Sequence, residues 1–140
     1  MPNVNFHEVA GILVRNPLGQ ILMFDRLKPP PGFTVPTGHI EPGEEPMAAA
    51  LRELSEETSI RATEAISLGS TMIWGDLCRR GTPNHRWHVF VVSVPPDTIV
   101  EICEEGTNPL WLSPEDWLNG GNLTLATRHV LVRHLDVLRR

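Results

Sequence analysis

Cysteine is scarce, with two in 140 residues. Cys78 and Cys103 are too few for a disulfide framework and lack metal-ligand spacing, so reduced thiols in a cytoplasm are expected, with room for at most one bridge. An excess of basic residues is also missing: 12 Lys and Arg stand against 17 Asp and Glu, a formal net charge of -5. Wrapping a nucleic-acid backbone needs a basic face to displace counterions, so no stable nucleic-acid complex is expected, and an anionic substrate would need local help. No uninterrupted apolar stretch is long enough to cross a bilayer, and "MPNVNF" lacks a basic start followed by an apolar run, which argues against a membrane role. What is present is an ordinary globular balance, 41% hydrophobic and 21% charged, in a length that fits one domain over residues 1–140.

Two β-rich apolar runs, Phe6 to Asn16 and Gln20 to Arg26, are separated by "PLG", which predicts adjacent antiparallel strands. "RLKPPPGF" then reads as a proline-broken surface loop beside a site. A glycine turn from Gly38 to Gly43 leads into a helix that starts near Pro46 and gathers Met47, Ala50, Leu51, Leu54 and Thr58 on one side. "AISLGSTMIW" and "RWHVFVVSV" predict two more strands, with Trp87 in the core. Ser113 and Pro114 open a short helix, and Leu123, Val130, Leu131, Leu135 and Leu138 fall at helical spacing in a last one. This order predicts a mixed α/β sheet with helices packed on both faces.

At about 100° per residue, Glu53, Glu56 and Glu57 share an arc turned away from the apolar side of the predicted helix. Two unit charges about 5 Å apart repel by roughly 3 kcal/mol at an effective dielectric of 20, and by about 1 kcal/mol in open water. Crowding alone is therefore compatible with a solvated face, on which Arg52 and Glu56 form an i,i+4 pair contributing about 0.3 kcal/mol. The alternative is chemical: a hard divalent cation such as Mg²⁺ takes converging carboxylate oxygens and neutralises phosphate that an acidic protein would otherwise repel.

The surrounding residues resemble the Nudix family, whose box is written G-x(5)-E-x(7)-R-E-U-x-E-E-x-G-U with U a bulky aliphatic residue. Gly38, Glu44, Arg52, Glu53, Leu54, Glu56, Glu57 and Ile60 fall in register over residues 38–60, and Ser59 stands where the last glycine is usual. The resemblance implies an α/β/α sandwich and a Mg²⁺- or Mn²⁺-dependent hydrolase of a nucleoside diphosphate linked to another moiety. It casts Glu53, Glu56 and Glu57 as catalytic, metal-binding carboxylates, the Gly38 carbonyl as a further ligand and Arg52 as the arginine that holds the glutamates. Glu44 falls to structural support. Glu105, with Glu104 and Glu101 as rivals, is expected as a further carboxylate, either metal ligand or base. At Ser59, where a left-handed backbone is usual, serine costs about 1 kcal/mol of strain or the turn takes another shape.

Subfamily markers lie downstream. ADP-ribose enzymes of the family tend to carry a proline where this chain reads Gly75 and Asp76, and dinucleoside polyphosphate enzymes tend to carry a tyrosine, of which this chain has none. A compact enzyme for nucleoside triphosphates or related small nucleotides is expected by elimination, and family habit suggests a homodimer. Phe33, Trp74 and Trp87 are candidates for stacking on a base, and Arg26, Lys28, Arg79, Arg80 and Arg86 for reaching phosphates. His85 and His88 suit no zinc spacing and read as surface or packing histidines. The competing class is a catalytically silent module of the same fold that binds a nucleotide or sugar nucleotide and regulates a partner.

Overall fold

The computed structural model describes residues 6–74, 84–120 and 122–140. Its elements follow in the order β1 (His7–Arg15), β2 (Ile21–Arg26), β3 (Phe33–Thr34), β4 (Thr37–His39), α1 (Pro46–Thr58), β5 (Ile66–Ile73), β6 (His85–Ser93), β7 (Gly106–Leu112), α2 (Pro114–Asn119), α3 (Leu125–Arg133) and α4 (Leu135–Leu138). The strands form one mixed sheet ordered β3-β2-β1-β6-β5, with β4 added to β1 and β7 to β2. The β1–β6 pairing is parallel and every other ladder antiparallel.

Alternation along β1 explains the two cores. Val9 and Leu13 point to one face and join Trp87, Val89, Trp117, Val130 and Leu131 beneath α2, α3 and α4. Ala10, Ile12 and Val14 point to the other and join Ala49, Ala50, Leu54, Ile60 and Phe90 beneath α1. The result is the expected sandwich, helices on both faces of a mixed sheet. Each fully buried leucine or isoleucine here contributes about 1.5–3 kcal/mol.

Helix α1 begins at Pro46 as expected, but its buried side differs in one place. Met47 is 40% exposed, whereas Ala49 is fully buried. Small Ala49 and Ala50 bring the helix close to the sheet, and Met47 in the first turn lies outside that contact. The last element also departs from expectation. Leu123 forms a bridge with Phe33, and the Thr124 side chain caps α3 by accepting from the Thr127 N–H, so the helix starts after it. His134, at φ -105° and ψ 17°, then divides α3 from α4.

The first two strands pair antiparallel, yet they meet only at Arg15 and Ile21. Farther back, the same edge of β1 is taken by β4, with Val9 opposite His39 and Ala10 opposite Gly38. The sheet therefore forks: β1 and β4 form one arm, and β2, β3 and β7 the other. The opening between the arms is where the acidic side of α1 arrives. Among the described residues no helix is long and apolar enough to cross a membrane. Cys103 is a free thiol, while Cys78, Gly75, Asp76, Arg79 and Arg80 lie outside the described residues.

Candidate active site

A cleft of about 310 Å³ occupies the fork, lined by Glu53, Glu56 and Glu57 from α1, Gly38 and His39 from β4, Arg26 from β2 and Glu105 just before β7. Four of the carboxylates expected from sequence thus meet in one place. Their positions follow from the surrounding backbone. The C-terminal end of α1 is held by the segment before β7: the Glu101 N–H donates to the Thr58 carbonyl at 2.9 Å and the Cys103 N–H to the Glu57 carbonyl at 3.0 Å. These two bonds satisfy carbonyls that a helix end leaves open, and they carry Glu105 to the glutamates. Ser59 makes the turn possible with a left-handed backbone, φ 63° and ψ 7°, and its N–H donates to the Ser55 carbonyl. Serine therefore keeps the shape for which glycine is usual.

Arg52 organises the cluster. Its Nε and one terminal nitrogen grip both oxygens of Glu44 at 2.8 and 2.9 Å. The other terminal nitrogen donates to Glu53 at 2.8 Å and to Glu56 at 3.3 Å, and the first also reaches the His39 carbonyl at 3.1 Å. A planar fork with five donors suits this work, and a lysine would not reproduce it. The guanidinium beside Glu44 holds that carboxyl down at about 2. Glu44 thus serves as the far anchor of Arg52 rather than as a lining group of the cleft.

Glu53 and Glu57 behave in the opposite way. Burial raises the Glu53 carboxyl despite its bond to Arg52. Burial also drives Glu57 well above the usual carboxylate range, with the charge of Glu53 second and that of Glu105 adding to it, against a bond from the Thr37 N–H. That bond, 2.9 Å to Glu57 Oε2, was not legible in the sequence. Gly38 is required by the same crowding, because a Cβ at this position would collide with the Glu53 carboxylate. Partly buried acids with raised pKa values, an all-oxygen donor set and a backbone kept bare beside it all fit a hard divalent cation. Glu53, Glu56, Glu57 and the Gly38 carbonyl are the groups that would hold it, with Glu105 beside them as a further ligand or a base.

The candidate substrate-binding residues divide. Arg26 lines the cleft, while Lys28 does not, lining instead a small adjoining pocket with Arg26, Glu57 and Glu105, and pairs with Glu105 at 3.4 Å. Phe33, Trp74 and Arg86 are not brought to it. The Phe33 backbone is tied to Asn122 and Thr124, and its ring packs on the core under α3. Trp74 is 58% exposed at the end of β5. Arg86 points to the α1 face of the sheet, where it pairs with Glu8 at 3.6 Å and lies over the Phe6 ring. Parity explains that outcome: on β6, Arg86 and His88 alternate with His85 and Trp87, and only the latter two reach the cleft. Trp87 is buried as expected, passing over Gly11, where any side chain would strike its ring. Thr34 and Thr124 also line the cleft, linked through Thr127 by hydroxyl bonds of 2.8 and 3.2 Å.

A family model described as NUDIX domain matches residues 5–131. The chain belongs to the Nudix family. Among curated relatives it is similar to the RNA pyrophosphohydrolase of Azorhizobium caulinodans, 36% identical over 80 residues, which is 53% of this chain and 46% of that protein. It is likewise similar to the RNA pyrophosphohydrolase of Rhodospirillum rubrum, 38% identical over 69 residues, 49% of this chain and 41% of that protein. The chain thus spans less than half the length of these relatives. Among solved structures, the MutT protein from Methanosarcina mazei Go1 superposes with a TM-score of 0.81 at 20% identity, covering 100% of this chain and 99% of that one. This likeness shows the Nudix fold over the whole length.

Proposed function

We propose that the chain is a Mg²⁺- or Mn²⁺-dependent pyrophosphohydrolase that cleaves a phosphoanhydride bond in a nucleoside triphosphate or a related small nucleotide. The observation that carries this reading is the convergence of Glu53, Glu56, Glu57 and Glu105 on one cleft, with partial burial and mutual repulsion raising Glu53 and Glu57. Such an arrangement destabilises the folded chain unless a cation compensates it. A divalent ion there supplies Lewis acidity and neutralises phosphate charge.

The residues of the chain divide the remaining work. Arg52 fixes Glu53 and Glu56, and the Thr37 N–H fixes Glu57, so these three are positioned acceptors. Glu105 arrives from another segment, outside the grip of Arg52, is half-exposed and pairs with Lys28. It is therefore the group we assign as base for the attacking water. Arg26, facing the same cleft, meets the phosphate chain, and the wall of Trp87, Thr34 and Thr124 receives the remainder of the nucleotide.

The test is release of phosphate or pyrophosphate from a panel of nucleoside triphosphates, oxidised nucleotides, ADP-ribose, nucleotide sugars and a short RNA with a 5′-triphosphate, with metal and with chelator. Metal-dependent turnover that falls roughly 10²- to 10⁴-fold in Glu56→Gln, with folding intact, supports the reading. Ligand binding without turnover across the panel would replace it with the silent binding module. The RNA substrate belongs in the panel because the two relatives named above carry the name RNA pyrophosphohydrolase. The acidic net charge of this chain favours the small nucleotide over a long polyanion.

A further inference from the structure

The carboxylates are not the only side chains gathered at the fork that are able to ligate a metal ion. His7 at the start of β1, His39 at the end of β4 and His85 at the start of β6 bring three ring nitrogens within 4.8 Å of one another. They are 32 and 46 residues apart along the chain, and the sheet register brings them together. His7 lies directly opposite His85 in the parallel ladder, and His39 lies opposite Val9 in the antiparallel one. Positions 7 and 9 share a face, so the three imidazoles stand on the same side of adjacent strands, the side opposite α1. Their rings are not stacked flat. They meet edge to face at 71°, 74° and 61°, with centroids 5.1, 6.0 and 6.0 Å apart.

We propose that His7, His39 and His85 form a second metal site, for a Zn²⁺-class transition-metal cation, distinct from the carboxylate site for a hard cation. A tetrahedral ion with bonds of about 2.0–2.1 Å to imidazole separates its ligand nitrogens by about 3.4 Å, so the trio closes on it through side-chain rotations of about an ångström. The ligands select the metal: imidazole suits Zn²⁺, Co²⁺, Ni²⁺ and Cu²⁺, whereas Mg²⁺ prefers carboxylate and water oxygen. Three protein ligands leave coordination positions open. Since His39 and His85 also line the cleft, those positions fall to water or to a phosphate oxygen of a molecule within it. Strand backbones fix the two buried or half-buried partners of His7, which gives the site a rigid frame. The inference does not depend on the hydrolase reading, because no glutamate takes part.

The experiment uses the full chain free of any affinity tag, stripped with chelator, returned to excess Mg²⁺ and titrated with Co²⁺ while visible absorption is recorded. The expected result is one equivalent bound with the intense band of a four- or five-coordinate nitrogen site, displaced by Zn²⁺ and not by Mg²⁺. Removing an outer partner of a ligating histidine costs about 10–100-fold in affinity, so loss of a ligand itself, in His7→Ala or His85→Ala, should cost at least about 100-fold. His85 is buried, and its replacement risks the fold; half-buried His7, at a strand end, provides the second variant, checked by circular dichroism. Glu53→Gln should leave the band in place. Absence of Co²⁺ binding under excess Mg²⁺, or a weak octahedral spectrum that survives His7→Ala and disappears in Glu53→Gln, would overturn the proposal.

Discussion

Replacing Glu57 by glutamine should abolish turnover and yet stabilise the metal-free protein. Glu53 and Glu57 stand one helical turn apart, with Cβ atoms about 5–6 Å from each other. At an effective dielectric of about 20 two charges at that separation repel by roughly 3 kcal/mol. At a pH where both acids are ionised, the Glu57→Gln change removes this repulsion and the partial burial of a charge, while a neutral amide oxygen still accepts from the Thr37 N–H. Weakening that bond from charged to neutral offsets roughly 1 kcal/mol. The remainder, about 1–2 kcal/mol, raises Tm by about 3–6 °C in a chain of this size. In chelator the variant should therefore melt above the wild type. With Mg²⁺ at about a hundredfold its Kd, the wild type gains about 2.7 kcal/mol and the order should reverse. A variant that melts below the wild type in chelator, or equal stabilisation of both by Mg²⁺, would refute the claim that these acids are held against their own repulsion for a cation.

The same reasoning fixes a pH dependence. Glu53 and Glu57 have folded-state pKa values raised above those of the unfolded chain. Their contribution to stability is fully present below the ordinary carboxylate value of about 4.3 and is lost as pH rises through the raised folded values. Chelated wild type should thus lose stability as pH rises above the ordinary carboxylate value. Glu57→Gln should flatten that loss.

Two other residues give sharp tests. Gly38→Ala places a methyl on the Glu53 carboxylate, so metal-dependent turnover should fall by at least about 100-fold with a smaller loss in Tm, since displacement near 1 Å at a reacting site has that effect; unchanged kinetics would remove Gly38 from the site. Arg52→Gln should destabilise the protein by about 2–3 kcal/mol through its lost charged bonds. It should also erase the acid-side loss due to Glu44, whose contribution is present above the ordinary carboxylate value and disappears as pH falls through about 2; urea melts along an acid series read both effects, and an unaltered acid limb would sink the anchor role.

Much of the fold was legible because its signals are local. Pro46 after a glycine turn, Ser113 before Pro114, and the alternating runs of β1 and β6 each report on a few neighbouring residues, and the elements stand where those residues place them. The last helix departs from its spacing where tertiary bonds override it, starting at Leu125. Leu123 has the right periodicity, yet its neighbours are tied to Phe33, and the Thr124 hydroxyl finds the Thr127 N–H instead of extending the helix backward. Met47 was misplaced for a related reason: periodicity gives direction around a helix, whereas burial also depends on how far along it the sheet extends.

The site separates in the same way. Glu53, Glu56, Glu57 and Arg52 lie within six residues on one helix, so their meeting could be read from helical geometry. Arg86, Phe33 and Trp74 are candidates by residue type alone, and type does not determine which face of a strand a side chain takes. On β6 a shift of one residue decides the outcome: Arg86 turns to Glu8 across the α1 face, while His85 and Trp87 turn to the cleft. The histidine trio shows the limit most plainly. His85 has no zinc-like spacing to His88, and its ring partners lie on two other strands, so the cluster exists only through the parallel register that sets His7 opposite His85 and the fork that lays β4 along β1. That fork has two consequences at once. It opens the cleft that α1 fills with oxygen ligands from one side, and it aligns three strand ends that supply nitrogen ligands from the other. Hard and borderline cations would therefore find separate donor sets, oxygen from α1 and nitrogen from the strand ends, and Co²⁺ titration of Glu53→Gln and His7→Ala side by side reads the two apart.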